Sequence, residues 1–300
     1  MEAMTNDFII RVSSLPTARD CMRRWMVDLR PAWIESLGYE LNQRPVGIGA
    51  HCGWGTHIAV AHSWEGFGVN GMRWAHFDDC VQHGFEEYKE RVETEGCEYD
   101  DTTPNDNAAQ RAILKMTRAY RDHCKPTWIP ELIERRLEAQ IRPGYILRGH
   151  TDLVRSESGV TYDTGAPLYT LNDLKTGVQI AAPGAQVGGY DLLCSAMPDV
   201  EEVQKATMTY VRRTRMKTEQ TPPYEFTFDR EATRAEATAV IFDIVDRVEE
   251  FRSPDSRPWT TVFPANTSSK LCGDKYCRAF RTRWCPESFN KPVLKEKDLV

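Results

Sequence analysis

The hydrophobic pattern of the chain changes period near Leu137. Upstream, apolar residues recur at helical intervals. Downstream, "RLEAQIRPGYILRGHTDLVRSESGVTYDTGAPLYTLNDLKTG" breaks into short runs separated by turn residues: Pro143-Gly144, Ser156 to Gly159, and Thr164 to Pro167. A helical period does not sit as a strand, nor the reverse, so this switch constrains the fold more than any other feature. It predicts three strands in a meander, over about 136–142, 145–155 and 168–175. "PGAQVGGYDLLCSAM" then reads as a helix despite its glycines, and "REATRAEATAVIFDIVDRVEEF" as an amphipathic helix. Between them "EEVQKATMTYVRRTRM" gives a strand over about 205–213.

The first half reads as helices. "SLPTARDCMRRWMVDL" opens with Ser14 or Thr17 as an N-cap, and "GWGTHIAVAHSWEGF", "GMRWAHFDDCVQHGFEEYKERVETE" and "AAQRAILKMTRAYRDHC" follow. "EYDDTTPNDN" is a loop, and "IPELIERRL" is either a short helix or an extended piece. Helices, then a meander, a helix, a strand and a helix make an α/β domain with a central sheet. An N-terminal helical layer and a C-terminal cysteine cap complete it. The expected regions are roughly 1–130, 131–255 and 256–300, integrated into one domain.

The formal net charge of −6 means that the surface as a whole does not attract nucleic acid. Contact with DNA would need a local basic groove. Two basic segments are available, "YVRRTRMK" (210–217) and "KLCGDKYCRAFRTRW" (270–284), though either alone also reads as a solvated face. No apolar run is long enough to cross a bilayer, and "MEAMTNDFIIRV" lacks the apolar stretch of a secretory signal. A cytoplasmic protein is expected, in a host cytoplasm if viral. There, nine cysteines should be free thiols or metal ligands rather than disulfides.

Chemistry enters at "LNDLKTG", Leu171 to Gly177. Strand alternation puts Asp173 and Lys175 on one face. Asp152, in "GHTDLV", lies on the preceding predicted strand. Two carboxylates with neighbouring carbonyl and water oxygens suit Mg²⁺ or a similar hard cation. Such a cation polarises a phosphoryl oxygen and acidifies a bound water, and the lysine stabilises developing negative charge. D-x-K alone matches by chance far too often to carry this reading.

Three further pairs change its weight. Gln186 and Tyr190 are four apart, on one face of a helix; Gly149 precedes Asp152 by three; Gly53 precedes His57 by four. The order G-x-x-x-H, G-x-x-D, D-x-K, Q-x-x-x-Y resembles the RecB-like branch of the PD-(D/E)XK nucleases, over about Ser13 to Pro286. The resemblance implies that His57, Asp152, Asp173 and the Leu174 carbonyl ligate Mg²⁺ or Mn²⁺. It implies that Lys175 is the catalytic lysine and that Gln186 and Tyr190 orient the site and contact DNA. "GIGAH", ending at His51, matches G-x-x-x-H as well, and His62 lies close by. His57 is preferred because "HIAVAHSW" is the better helix.

Cys272, Cys277 and Cys285 crowd into the tail, and Cys21 lies far upstream; the other five cysteines are scattered and read as small buried hydrophobes. Four thiolates select zinc or an iron–sulfur cluster, and the spacing alone chooses neither. A subset of RecB-like nucleases, including AddB-type and CRISPR-associated exonucleases, carries a 4Fe–4S cluster. One of its cysteines precedes the nuclease core and three follow. The resemblance therefore implies that Cys21, Cys272, Cys277 and Cys285 hold such a cluster and staple the chain ends together.

The expected function is a metal-dependent DNA exonuclease acting on single strands or ends. Arg212, Arg213, Arg215, Arg278 and Arg281 would line the phosphate path, and Trp284 either stacks on bases or packs in the cap. No G-x-x-x-x-G-K-[ST] stretch is present, so unwinding would fall to a helicase or recombination partner. Two other readings fit the same residues. One is a non-catalytic nucleic-acid-binding scaffold with a structural zinc; the other is an unrelated zinc protein in which D-x-K is incidental.

Overall fold

The computed structural model describes residues 7–290 apart from 69–73, 159, 162–166, 179–182 and 201. The turn signals at 156–159 and 164–167 fall partly outside the described residues, as do 1–6 and 291–300 of the expected outer regions. The chain begins with β1 (Phe8–Arg11), α1 (Leu15–Asp20), α2 (Met22–Leu29), α3 (Pro31–Ser36) and β2 (Val46–Gly47). It continues with α4 (Ile48–Glu65), α5 (Phe77–Glu95), β3 (Cys97–Glu98) and α6 (Asp106–His123). Then come β4 (Trp128–Arg142), β5 (Tyr145–Glu157), β6 (Thr170–Gly177), α7 (Gly184–Ala196) and β7 (Lys205–Arg212). β8 (Tyr224–Phe228), α8 (Arg230–Arg252) and α9 (Trp259–Val262) complete the elements used below.

Helix starts follow local capping chemistry. The Asn105 side chain accepts from the Ala108 N–H to open α6, and Asp229 accepts from Ala232 to open α8. The four predicted strands are present. "IPELIERRL" is extended and belongs to β4, although Leu, Glu and Arg favour helix. Its pairing with β5 from Trp128↔Glu157 to Arg142↔Tyr145 outweighs that propensity. β1 and β8, four and five residues long, are not among the expected strands, although Tyr224, Phe226 and Phe228 of β8 alternate with Glu225 and Thr227. The first predicted helix breaks in two at Cys21, whose backbone is extended (φ −155°, ψ 104°).

The main sheet has the order β1-β5-β6-β7-β8, with β4 on the other edge of β5. β1 runs parallel to β5 at 145–148, and β6 runs antiparallel to it at 153–155. Both occupy the same edge of β5, so Gly149 to Asp152 face a fork between two departing strands. Parallel pairing of β6 with β7 holds the sheet centre, while β4–β5, β5–β6 and β7–β8 are antiparallel. The fold is thus a mixed central sheet flanked by helices.

Two apolar clusters lie on opposite faces, as alternation requires: Leu153 enters one and Val154 the other. The α4–α6 face holds Ile48, Trp64, Ile113, Met116 and Leu174. The α7–α8 face also takes residues of β1, α1, α2 and the tail, including Phe263 and Trp284. Trp284 is fully buried and stacks on Trp259 at 4.2 Å, with the rings of Trp33 and Tyr39 edge-on. It packs in the cap and presents no face to a base.

Arg23 ties the tail to α2. It is fully buried, donates to the carbonyls of Phe263 (2.9 Å) and Thr260 (2.7 Å), and pairs with Glu287. Replacing it with Met leaves those carbonyls without a donor. The expected cost is roughly 2–4 kcal/mol, read as a Tm lowered by several degrees. An unchanged Tm would show that the clasp contributes nothing.

Candidate metal centre at the strand fork

At the fork, β6 turns away from β5 after Asn172, the last residue paired across to Leu153. The Leu174 N–H, freed from that ladder, donates instead to Asp152 Oδ2 at 2.6 Å. A side chain of one strand thus fills the gap left by the other. Behind the fork, the fully buried Asn172 amide donates to Thr207 Oγ1 (2.8 Å) and Thr209 Oγ1 (2.9 Å) and clamps β6 to β7.

Asp173 points to the opposite face from Asn172. Lys175 Nζ lies 3.0 Å from its Oδ1 and 2.9 Å from its Oδ2, as the two-residue spacing predicted. Gln186 Nε2 donates to the same Oδ1 at 3.3 Å and lies 3.2 Å from Tyr190 Oη, so the four-residue spacing on α7 delivers both residues to the site. The Tyr190 ring needs Gly149. A Cβ there would lie 2.7 Å from Tyr190 Cε1.

α4 brings the histidine. Its motif glycine, Gly53, faces Thr176, where a Cβ would stand 2.7 Å from Oγ1, so glycine allows the helix to close on β6. One turn later, His57 Nδ1 lies 3.3 Å from Asp152 Oδ1. The alternatives lie elsewhere: His51 Nε2 contacts the Gly96 carbonyl, and His62 pairs with Glu65 beside His83.

One acid was not anticipated. Glu134 Oε1 lies 3.6 Å from His57 Nδ1. Pairing of Ile133 with Leu153 and Arg135 with Thr151 sets Glu134 across from Asp152. Its φ is +42°, an unfavourable region for a non-glycine residue. Nothing in "ELIERR" marks this acid over Glu131, because hairpin register and a local backbone twist select it. Among the described residues, only His57, Glu134 and Asp152 form a group of three or more His, Cys, Asp or Glu with ligand atoms within 4.8 Å of one another. Asp173 stands outside that group. The Asp173 carboxylate is bonded to Lys175 and Gln186, with Asp152 and His57 near enough to act on its charge.

The charges are strongly coupled. Burial pushes the His57 pKa down, but Asp152 and Glu134 more than reverse this and raise it to about 10. Burial raises Asp152, yet His57, Lys175 and the Leu174 N–H bring it below the ordinary carboxylate value. Asp173 is pushed up to about 6, chiefly by burial and also by Asp152, against the pull of Lys175. Burial disfavours the Lys175 ammonium, but Asp173 and Asp152 hold its pKa above the usual lysine value. Burial lifts Tyr190 well above an ordinary phenol, so it stays protonated.

The family model of the PD-(D/E)XK nuclease superfamily matches residues 11–286. The chain belongs to the PD-(D/E)XK nuclease superfamily. Membership suggests a metal-dependent nuclease, with nucleic acid as the substrate class. No curated protein sequence matches the chain. A solved structure described as "Crystal structure of SSO0001" is similar at 12% identity and a TM-score of 0.27. The match covers 74% of this nuclease-family chain and 84% of that one. No helix among the described residues is long and apolar enough to cross a membrane.

The basic residues fare differently from one another. Arg213 is buried and bonded to Asp100 (Nη1 to Oδ1 3.1 Å) and Thr103, so it serves as an internal cation rather than a phosphate contact. Its carboxylate partner lies 113 residues away. Arg212 and Arg215 are exposed. Arg278 donates to the Asn42 carbonyl at 3.2 Å with Glu35 at 3.8 Å, and Arg281 sits over the Phe280 ring.

Cys21, Cys272, Cys277 and Cys285 line one small cavity, together with Arg23 and Arg24. Cys277 and Cys285 are buried, Cys21 and Cys272 partly so. Burial pushes the Cys277 thiol up to about 12, so its thiolate needs a cation beside it. No three of these sulfurs lie within 4.8 Å of one another.

Proposed function

We propose that the protein is a Mg²⁺- or Mn²⁺-dependent DNA exonuclease acting on single strands or ends, with a 4Fe–4S cluster on Cys21, Cys272, Cys277 and Cys285. The observation that carries the nuclease reading is the fork. There Asp152, Asp173, Lys175, Gln186 and Tyr190 converge within hydrogen-bond reach of one another or of the backbone between them. Bound at Asp152, Asp173 and the Leu174 carbonyl, a divalent cation supplies Lewis-acid activation of water and of the scissile phosphate. Lys175 keeps its proton and places an ammonium where negative charge develops. Gln186 fixes the rotamer of Asp173, and the neutral Tyr190 hydroxyl backs Gln186. The RecB-like motif order supports exonuclease action, and the exposed Arg212 and Arg215 supply phosphate contacts at the end of β7.

The four cysteines around one cavity support a shared metal site on thiolates, which suit zinc or an iron–sulfur cluster, and the RecB-like motif order favours the cluster. Replacing Cys277 with Ala should abolish the iron content and lower Tm by on the order of 10 °C, because metal binding is linked to folding. Unchanged iron content and melting in that variant contradict the cluster.

The test of function is direct. The protein is purified anaerobically, its visible spectrum and metal content are recorded, and end-labelled single- and double-stranded DNA is added with Mg²⁺ or Mn²⁺. A brown protein that shortens DNA from its ends supports the proposal. A colourless zinc protein that binds DNA without cutting it supports a scaffold instead.

A further inference from the structure

α7 carries Gln186 and Tyr190, but the residue before it does not cap it. Pro183 makes no side-chain bond to the first turn, and that turn holds no acid. The Gln186 N–H donates to the Pro183 carbonyl at 3.0 Å. The Ala185 N–H is met from outside the helix: Glu236 Oε1, on α8, accepts it at 3.1 Å. A carboxylate at this point also complements the positive end of the helix dipole.

Close approach of the two helices makes this reach possible. A Cβ on Gly188 would stand 1.9 Å from the Thr233 carbonyl oxygen, and one on Gly184 would stand 2.8 Å from Glu236 Oε2. Further along α7, the fully buried Asp191 accepts from Arg230 at 2.8 Å, so α8 grips α7 at a second point. Glu236 is itself held, because Arg19 of α1 pairs with the same Oε1. The arginine is largely exposed, so the pair adds little to stability and acts mainly by fixing the direction of the carboxylate. α1 is in turn anchored to the tail beside Cys21. The Asp20 carbonyl accepts from Asn266 Nδ2 at 2.9 Å, and its carboxylate from Ser269 Oγ at 2.7 Å.

We infer that Glu236 is a positioning residue: it caps α7 from α8, and the cap keeps the Gln186 side chain in register with Asp173 and Tyr190. Gln186 directly follows the capped Ala185. Its Nε2 lies 3.3 Å from Asp173 Oδ1 and 3.2 Å from Tyr190 Oη. Bonds of that length sit at the long end of useful geometry, so a small shift of the first turn loses them. Without the cap, the first turn slips while Asp191 still holds the rest of the helix. Arg19 acts one step further out and joins the cysteine-rich tail to the helix of the active site. The consequence for catalysis rests on the nuclease reading; the placement of Gln186 does not.

Two readouts on the full chain test this, one of them without DNA. In metal-free protein labelled with nitrogen-15 glutamine, the Gln186 side-chain amide is assigned by its absence in Gln186→Met. Glu236→Ala should move that resonance to the position of a solvent-exposed glutamine. Glu236→Gln should leave it in place, since its amide oxygen still accepts from Ala185 and Arg19. In cleavage assays with Mn²⁺, Glu236→Ala should lower kcat by roughly 10- to 100-fold, the scale on which misplacement by about 1 Å acts. KM for DNA should change by less than about threefold, and Glu236→Gln should keep kcat within about threefold of the parent. A folded Glu236→Ala with an unmoved Gln186 resonance overturns the inference, as does an unchanged kcat or a Glu236→Gln equally impaired. Should Glu236→Ala not fold, Arg19→Met takes its place: its resonance should move in the same direction, and an unmoved one overturns the inference. A parent that cuts no DNA sinks the nuclease reading alone, because the resonance still decides whether Glu236 places Gln186.

Discussion

Lys175→Ala should lower kcat for DNA cleavage by roughly 10³-fold or more, equivalent to about 4 kcal/mol of transition-state stabilisation. Two effects add. The ammonium that faces developing negative charge is lost, and Asp173 loses its ion-pair partner at 2.9–3.0 Å. Without Lys175, burial and Asp152 act on Asp173 unopposed by that charge, so its carboxyl holds its proton more tightly and a metal must displace it. Weaker Mn²⁺ binding should therefore accompany the loss of turnover. Single-turnover assays at saturating Mn²⁺ separate the two effects. A variant that cuts at more than a tenth of the parent rate under those conditions would remove Lys175 from the chemistry.

Asp173→Asn should move activity and stability in opposite directions. Cleavage should fall to background, because the cation loses a charged ligand. The metal-free protein, however, should become more stable at neutral pH. The folded-state pKa of Asp173 is raised from 3.8 to about 6, so the fold binds this proton more tightly than the unfolded chain does. That contribution to stability is fully present below the unfolded value. It is lost as pH rises through about 6, and above that the fold carries a buried carboxylate whose burial outweighs its pairing with Lys175. Asparagine mimics the protonated form without the titration. In EDTA at pH 7.5 the variant should gain roughly 1–3 kcal/mol, seen as a Tm raised by several degrees. Near pH 4.5 the two proteins should melt much closer together. A variant that melts below its parent at pH 7.5 overturns this account of Asp173. The parent's lower stability without metal is what a binding site built from buried carboxylates entails.

The parts of the site set by one element's own period were legible in the sequence. Asp173 and Lys175 share a face because strand side chains alternate. Gln186 and Tyr190 share a face because a helix turns in 3.6 residues. Their order, with Gly149, Asp152, Gly53 and His57, was enough for the family resemblance, and the family model over residues 11–286 agrees. The central meander was also readable, since β5 and β6 alternate between turn signals. "IPELIERRL" was ambiguous because its composition favours helix while its hairpin partner imposes strand.

Properties that depend on which element meets which were not legible. Glu134 is one of three acids in β4, and only the register against β5, with one left-handed residue, sends it to His57. Arg213 sits in a basic run that looks solvated, yet the fold turns it inward to Asp100. Trp284, open in the sequence to either a base or the cap, is sealed against Trp259. The fork itself also came only from the fold, since β6 leaves β5 where β1 has not yet begun to pair. By itself the sequence determined which residue types lie on which face of each strand and helix, because backbone geometry sets those periods locally. The tertiary structure decided which faces meet and which charges are buried together, because pairing and burial join residues more than a hundred positions apart.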